Sequence, residues 1–315
     1  ELDRIVVIDD GCQDQTAALA RRCAAQLFGG PGQAPTVEVL SNTGRPGKAG
    51  AIATGLAALG DTVELIVLTD ADVILRPDAL LALARCFAEA PELGMACGSQ
   101  EFVVDLASDG TLTSREGGAL VPAPGRYDRW TAWIRGLESR SGRLFSVHGQ
   151  LLAWRADLGL SPSPGIAADD IDLMCQTRSL GRAVIKSNPA RFVEIKTPTG
   201  PRQIAQESRR AQAYFQVMAS CRLPHTSSWL DRAHFALYRW LPSMAPRAAL
   251  AALIATTATL WWTLGPVPAT AFVTLTALAL LTPPARRALR LLKVIETARR
   301  AQQASDLDDR WQMPR

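Results

Sequence analysis

The residues best equipped for chemistry are acids that close short apolar runs. Leu65-Ile66-Val67-Leu68-Thr69 ends in Asp70-Ala71-Asp72, two carboxylates one residue apart. Unpaired buried charge is costly, so these acids make poor core. They make good oxygen ligands for a hard divalent cation, Mg²⁺ or Mn²⁺, that carries a diphosphate. Arg4 to Ile8 ends in the same way, in Asp9-Asp10-Gly11-Cys12-Gln13-Asp14. A carboxylate here can accept a hydrogen bond from a nucleotide base, and Gly11 lets a ligand approach the backbone. The plainer alternative is an Asp that caps a turn.

Four further clusters offer matching chemistry. Gly44-Arg45-Pro46-Gly47-Lys48-Ala49-Gly50 lacks the spacing of a P-loop, and no Ser or Thr follows the Lys. Lys48 at a helix start still suits a diphosphate; otherwise it is a solvated Lys on a turn. Asp169-Asp170-Ile171-Asp172 puts three acids where a helix begins. One of them can serve as general base, or all three simply complement the helix dipole. Gln206-Glu207-Ser208-Arg209-Arg210 offers two guanidinium groups for phosphate oxygens, or a charged helix face. His148, His225 and His234 show no metal-ligand spacing; His148, beside Gly149, reads as a hydrogen-bonded residue of an extended segment.

Something must hold these groups in place. Apolar runs at Arg4–Ile8, Thr36–Leu40, Leu65–Leu68 and Met95–Gly98 read as strands, and Thr16–Leu27, Lys48–Leu59 and the segment opened by Arg76-Pro77-Asp78 read as helices. Alternation of this kind predicts an α/β domain with a mostly parallel sheet, which binds ligands at the C-terminal ends of its strands. A loop is expected over Asp105–Pro124 and another at Gly29–Gly32. Helices are expected at Arg126–Arg143, Asp169–Leu180 and Gln203–Ser220. Phe145–Trp154 reads as extended, and Ala183–Ile185 and Phe192–Ile195 as short strands.

The chain has 315 residues and a formal net charge of +4. It has no dense basic tract, so nucleic acid is not an expected partner. Its six cysteines form no CxxC pair, which argues against structural zinc and fits a reducing compartment. The C-terminal third differs in character. Ser227–Leu241 is amphipathic, with Trp229, Ala233, Leu237 and Trp240 along one side, and predicts a helix lying in a membrane interface. Ala248–Thr282 carries no charge and is broken only at Gly265-Pro266 and Pro268. That length predicts two short crossings, and basic residues at both ends place both ends in the cytoplasm.

Taken in order, these segments resemble the family 2 glycosyltransferases, the group of the cellulose, chitin and hyaluronan synthases and their bacterial membrane relatives. Ile5 to Thr16 resembles the family's nucleotide-binding segment, with Cys12 where Ser is usual. Gly47-Lys48-Ala49 resembles its Gly-Lys-Ala element, and Asp70-Ala71-Asp72 its DxD metal motif. Phe145 to Arg155 resembles the acceptor-side segment and includes His148 and Gly149. Ala168-Asp169-Asp170 stands at the Thr-Glu-Asp position, and Gln206-x-x-Arg209-Arg210 at Gln-x-x-Arg-Trp, with Arg in place of the Trp that belongs to the polymer channel of processive synthases. That departure leaves a single addition open.

The resemblance implies a GT-A, Rossmann-like domain over 1–222, an interfacial helix over 223–247, a transmembrane helical hairpin over 248–283 and a cytoplasmic tail over 284–315. The family's first strand is absent from the start at Glu1, as a clipped chain would show. The implied activity is inverting transfer of a sugar from a nucleotide-diphosphate donor, a UDP-sugar being the expected one, to a glycan or lipid acceptor. The expected place is the cytoplasmic face of a bacterial inner membrane, with a role in polysaccharide biosynthesis. Implied roles are Asp170 as base; Asp70 and Asp72 as metal ligands; Asp9, Asp10, Lys48, Asp70, Arg209 and Arg210 on the donor; and His148, Gly149 and Gln206 on the acceptor side. The alternatives are a nucleotidyltransferase on a similar scaffold and a non-catalytic membrane subunit that binds nucleotide sugars.

Overall fold

The computed structural model describes residues 2–28, 35–60, 63–103, 126–164, 166, 168–195, 201–280 and 282–303. The loops expected at Gly29–Gly32 and Asp105–Pro124 lie outside them. The chain forms two compact units. The first comprises residues 1–198, 221–227 and 308–315; the second comprises 199–220 and 228–307.

The first unit is the α/β one. Its elements are β1 (Arg4–Asp9), α1 (Thr16–Phe28), β2 (Thr36–Ser41), α2 (Lys48–Leu59), β3 (Leu65–Thr69), β4 (Val73–Leu75), α3 (Ala79–Glu89), β5 (Leu93–Val103), α4 (Arg126–Arg140), β6 (Leu151–Arg155), α5 (Asp169–Ser179) and β7 (Ala183–Ile195). β1 and β2 pair in parallel. The other strands follow the order β3-β6-β5-β7-β4. Parallel pairing holds along the long β5–β7 ladder. β6 runs antiparallel to both β3 and β5, and β4 runs antiparallel to β7. The two short strands expected at Ala183–Ile185 and Phe192–Ile195 are one long strand, and most of the extended segment before Leu151 is not strand.

This strand order positions the Asp70–Asp72 turn. β3 and β4 stand at opposite ends of the order, yet only Asp70, Ala71 and Asp72 join them. Four peptide steps reach at most ~14 Å, whereas four strand spacings of a flat sheet cover about 19 Å. The sheet must therefore bend. A register shift between Cys97 and Ser99 of β5 supplies the bend. Gly98 sits inside it, where a Cβ would lie 2.7 Å from Leu151 Cδ2 and 2.9 Å from the Ala190 carbonyl oxygen. One core cluster packs α3 on this sheet through Ala79, Leu83, Phe87, Leu93, Leu151 and Phe192.

The second unit is helical: α6 (Pro201–Ser220), α7 (Trp229–Leu264), α8 (Pro266–Ala279) and α9 (Pro283–Gln303). Ser228 caps α7 by accepting from Asp231 N at 3.2 Å. Tyr214 of α6 donates to the Tyr238 carbonyl of α7 at 2.7 Å. The expected interfacial helix is no separate element, because α7 runs on through Pro242 and Pro246.

The expected transmembrane hairpin is corrected here. α7 and α8 do turn at Gly265, whose φ of 87° suits a residue without Cβ. But the turn divides the uncharged run into pieces too short to span. Ala248–Leu264 rises about 25 Å and α8 about 21 Å at 1.5 Å per residue, against ~30 Å of hydrocarbon. Among the described residues, no helix is long and apolar enough to cross a membrane.

Candidate functional site

Two loops at the β1 and β2 edge are locked together by side chains. Asp9 accepts from Cys12 N at 2.9 Å, a bond that holds its carboxyl below the ordinary range. Asp10 receives Asn42 Nδ2 at 2.6 Å and Gly47 N at 2.9 Å. Both Asp10 oxygens thus organise the loop before α2. Asn42 is the hub of that loop. It donates also to the Arg45 carbonyl at 3.1 Å and accepts from Gly44 N at 2.9 Å and Thr54 Oγ1 at 2.8 Å. Gly50 completes it, since a Cβ there would lie 1.8 Å from the Arg45 oxygen. Gly47, at φ 114°, turns the chain so that α2 starts on Lys48.

Lys48 is the centre of the site. Its Nζ stands 2.7 Å from Asp70 Oδ1 and 3.5 Å from Asp169 Oδ2. Burial pulls its pKa down, but Asp169, Asp70 and Asp170 outweigh burial and raise it to about 12. Lys48 is therefore a permanent cation facing three acids. Asp70 is fixed through its backbone as well, with its N–H donating to the Gln150 carbonyl at 3.3 Å. Asp169 is buried, and among the described residues its Oδ2 has no hydrogen-bond donor; burial raises its pKa to about 6 against the pull of Lys48.

Asp170 lies beside it and is half-buried. Burial moves its pKa upward, opposed by the Ile171 N–H, which donates to Oδ1 at 2.8 Å. Gly149 closes over this carboxylate: a Cβ on it would lie 2.8 Å from Asp170 Cβ and 3.0 Å from Oδ2. The third acid, Asp172, has a structural role. It accepts from Ser163 N at 2.7 Å and Gln176 Nε2 at 2.9 Å and so ties α5 to the preceding loop.

The fold thus brings Lys48, Asp70, Gly149, Asp169 and Asp170 together from four separate segments. Asp72 is exposed on the same turn as Asp70. Among the described residues, no three His, Cys, Asp or Glu side chains group as a metal cage. His148 has its ring edge-on to Phe192, with centroids 6.0 Å apart. Arg209 and Arg210 belong to α6, and their phosphate role rests on sequence order; the Gln206 side chain lies outside the described residues. Asn42 escaped the sequence reading, although Asn42-Thr43-Gly44 is an Asx-turn signal. Arg135 and Lys186, both near His148, had no signal, because only tertiary pairing unites them.

Residues 1–146 match Glycosyl transferase family 2. A mannosyltransferase from Pyrobaculum calidifontis, solved with GDP-Man and Mn²⁺, is 22% identical with a TM-score of 0.68 over 96% of this chain and 79% of its own. A mycobacterial protein is 18% identical with a TM-score of 0.44 over 71% of this chain and 66% of its own. GalNAc-T7, solved with UDP, GalNAc and Mn²⁺, is 15% identical with a TM-score of 0.43 over 75% of this chain and 49% of its own. No curated protein matches the sequence.

Proposed function

We propose that this glycosyltransferase, whose residues 1–146 match Glycosyl transferase family 2, moves a sugar, with inversion, from a nucleotide-diphosphate donor to an acceptor hydroxyl. One observation carries this reading. Lys48 draws the Asp70 turn and the Asp169-Asp170 helix start into one cluster, so the donor motif and the base motif meet.

Asp170 takes the acceptor proton. The acceptor oxygen bonds the anomeric carbon from the face opposite the leaving group, and the diphosphate departs with the electron pair. Burial makes Asp170 a stronger base than a solvated carboxylate, which suits proton abstraction near neutral pH. Lys48 holds Asp70 and Asp169 against mutual repulsion and offers its charge to the diphosphate. Asp10 and Asn42 shape the loop that receives the nucleotide.

A divalent cation fits the acids present. Asp72 is exposed and Asp70 shares its carboxylate with Lys48, which suits Mg²⁺ or Mn²⁺ bound by one or two carboxylates, water and phosphate rather than a full protein cage. Asp72 would be its main ligand, with Asp70 second; when bound, the cation neutralises charge on the diphosphate.

The helical unit supports a membrane-surface location. Trp229, Trp240, Trp261 and Trp262 are exposed, and so are Arg247, Arg286, Arg290 and Lys293. Aromatic and basic side chains together suit an anionic lipid surface. The test is Asp170→Asn, assayed with UDP- and GDP-sugars plus Mn²⁺. It should bind donor normally and lose roughly 10³-fold in turnover. Turnover that survives the change would sink the assignment.

A further inference from the structure

A second charged neighbourhood adjoins Gly149 through Ser146 and His148. Arg135 of α4 donates from Nε to Ser146 Oγ at 3.1 Å. One turn later, Ser139 Oγ donates to the Lys186 carbonyl at 3.1 Å and accepts from Lys186 N at 2.9 Å, which clamps α4 onto β7. Ser146 is two residues from His148, and His148 adjoins the Gly149 that covers Asp170. Lys186 pairs in register with Cys97 of β5. The Cys97 thiol feels Lys186, Arg135 and Asp170 together, although burial is the main cause of its raised pKa. Two cations and the proposed base therefore all act on one buried thiol.

One acid, Asp170, stands against these two cations, so net positive charge remains. Among the described residues, neither Arg135 nor Lys186 has a carboxylate partner, and Ser146 is the one hydrogen-bond acceptor of the Arg135 guanidinium. Both side chains are half-buried. Burial, and after it Arg135, lowers the Lys186 pKa. Like charges held together and partly out of water disfavour one another, so the arrangement calls for an anion. The hydroxyls of a neutral sugar would leave this field unanswered. A carboxylate brings one negative charge, whereas a phosphate monoester brings nearly two and accepts the Arg fork in bidentate fashion. His148 stays neutral, since burial first, and then Arg135 and Lys186, hold its pKa at about 3. It adds no third cation and can hydrogen-bond a hydroxyl.

We propose that Arg135 and Lys186 form an acceptor subsite for a phosphate ester, placed so that Asp170 deprotonates a hydroxyl of the same molecule. The proposal rests on Asp170 as base. The shared chemistry is the phosphate group, carried either by a lipid headgroup or by a soluble sugar phosphate.

Titration calorimetry on the full chain tests it, with glucose 1-phosphate against glucose and octanoyl lysophosphatidic acid in detergent against monooctanoylglycerol. The phosphate compound of at least one pair should bind, and its phosphate-free partner should bind at least about tenfold more weakly. Whichever pair responds identifies the source. Arg135→Gln and Lys186→Gln should each weaken the phosphate compound roughly tenfold, while donor affinity on the same samples moves less than about twofold. The wild-type comparison stands even if a variant fails to fold. Equal affinity within both pairs, or no phosphate binding by protein that does bind donor, overturns the proposal. Failure of the wild type to bind any nucleotide sugar would instead overturn the donor reading, and the phosphate titrations would still be decided on their own.

Discussion

The two units bury opposite things. The α/β unit hides its large apolar side chains, with Leu93, Met95 and Leu151 fully buried and Trp154 1% exposed. It also buries charge, at Asp169 and Asp172, beside a half-buried Lys48. The helical unit leaves Trp262 89%, Val267 76% and Trp229 75% exposed. A domain that buries charge does so at a cost, which it meets where function needs a field. Aromatic rings exposed on this scale suit the lipid surface proposed above. One unit is organised around electrostatics held in place, the other around a surface that awaits contact.

The sharpest way to break this contrast is to disturb the field without touching a charge. Gly149→Ala puts a Cβ 2.8 Å from Asp170 Cβ. That neighbour is bonded directly to the helix backbone and cannot swing aside, so the start of α5 must shift. A displacement of about 1 Å at a base costs roughly 10² in turnover. Turnover should fall by about that factor while donor affinity holds. An alanine variant with full turnover would show that Asp170 needs no such support.

Much of this α/β unit was legible in the sequence. Lys48–Leu59 and Asp169–Ser179 are set by apolar spacing and by breakers that read locally. The acids at the strand ends were equally plain. What was hidden is tertiary. β4 is three residues long and shows itself only by pairing with β7. Nothing local says that Asp10 serves the loop at Gly47, or that Lys48 would hold Asp70 and Asp169 at once. The helical unit misled for a different reason. Composition showed an uncharged run but not how Gly265 would divide it, and span length depends on that division. Arg135 and Lys186 lie far apart in sequence, and their elements are joined where Ser139 clamps α4 to β7.

The helical half of the contrast is sharpened at Trp261 and Trp262, which are 57% and 89% exposed. Truncation there removes apolar area that packs against little of the protein. Trp261→Ser with Trp262→Ser should leave the melting temperature almost unchanged and weaken binding to anionic phosphatidylserine-containing vesicles by about tenfold, since full burial of a large apolar side chain is worth about 1.5–3 kcal/mol. Co-sedimentation with vesicles reads the second effect. A large drop in melting temperature with unchanged vesicle binding would mean that the rings stabilise the chain rather than dock it.

The smallest effect lies in pH, and it too separates the units. His148 is held at about 3 by burial, below its ordinary 6.5. The unfolded chain therefore takes up this proton below pH 6.5 and the folded chain does not, so stability is lost as pH falls from 6.5 toward 3. Asp169 works the other way. Its folded value of about 6 exceeds its ordinary 3.8, so the folded chain gains stability as pH falls through that window. The two trends oppose each other between pH 6 and 4. Replacing His148 with Leu leaves the Asp169 trend alone, and the variant should gain about 2 kcal/mol on the wild type between pH 7 and pH 5 in urea unfolding. Glu296 of α9 is held at about 2 by hydrogen bonds from Arg299 and Arg300, so its proton uptake falls almost wholly below pH 5, and Glu296→Gln should leave the same comparison nearly flat. If Glu296→Gln changed the slope and His148→Leu did not, the stored field would belong to the helical unit, and the contrast between the two units would be reversed.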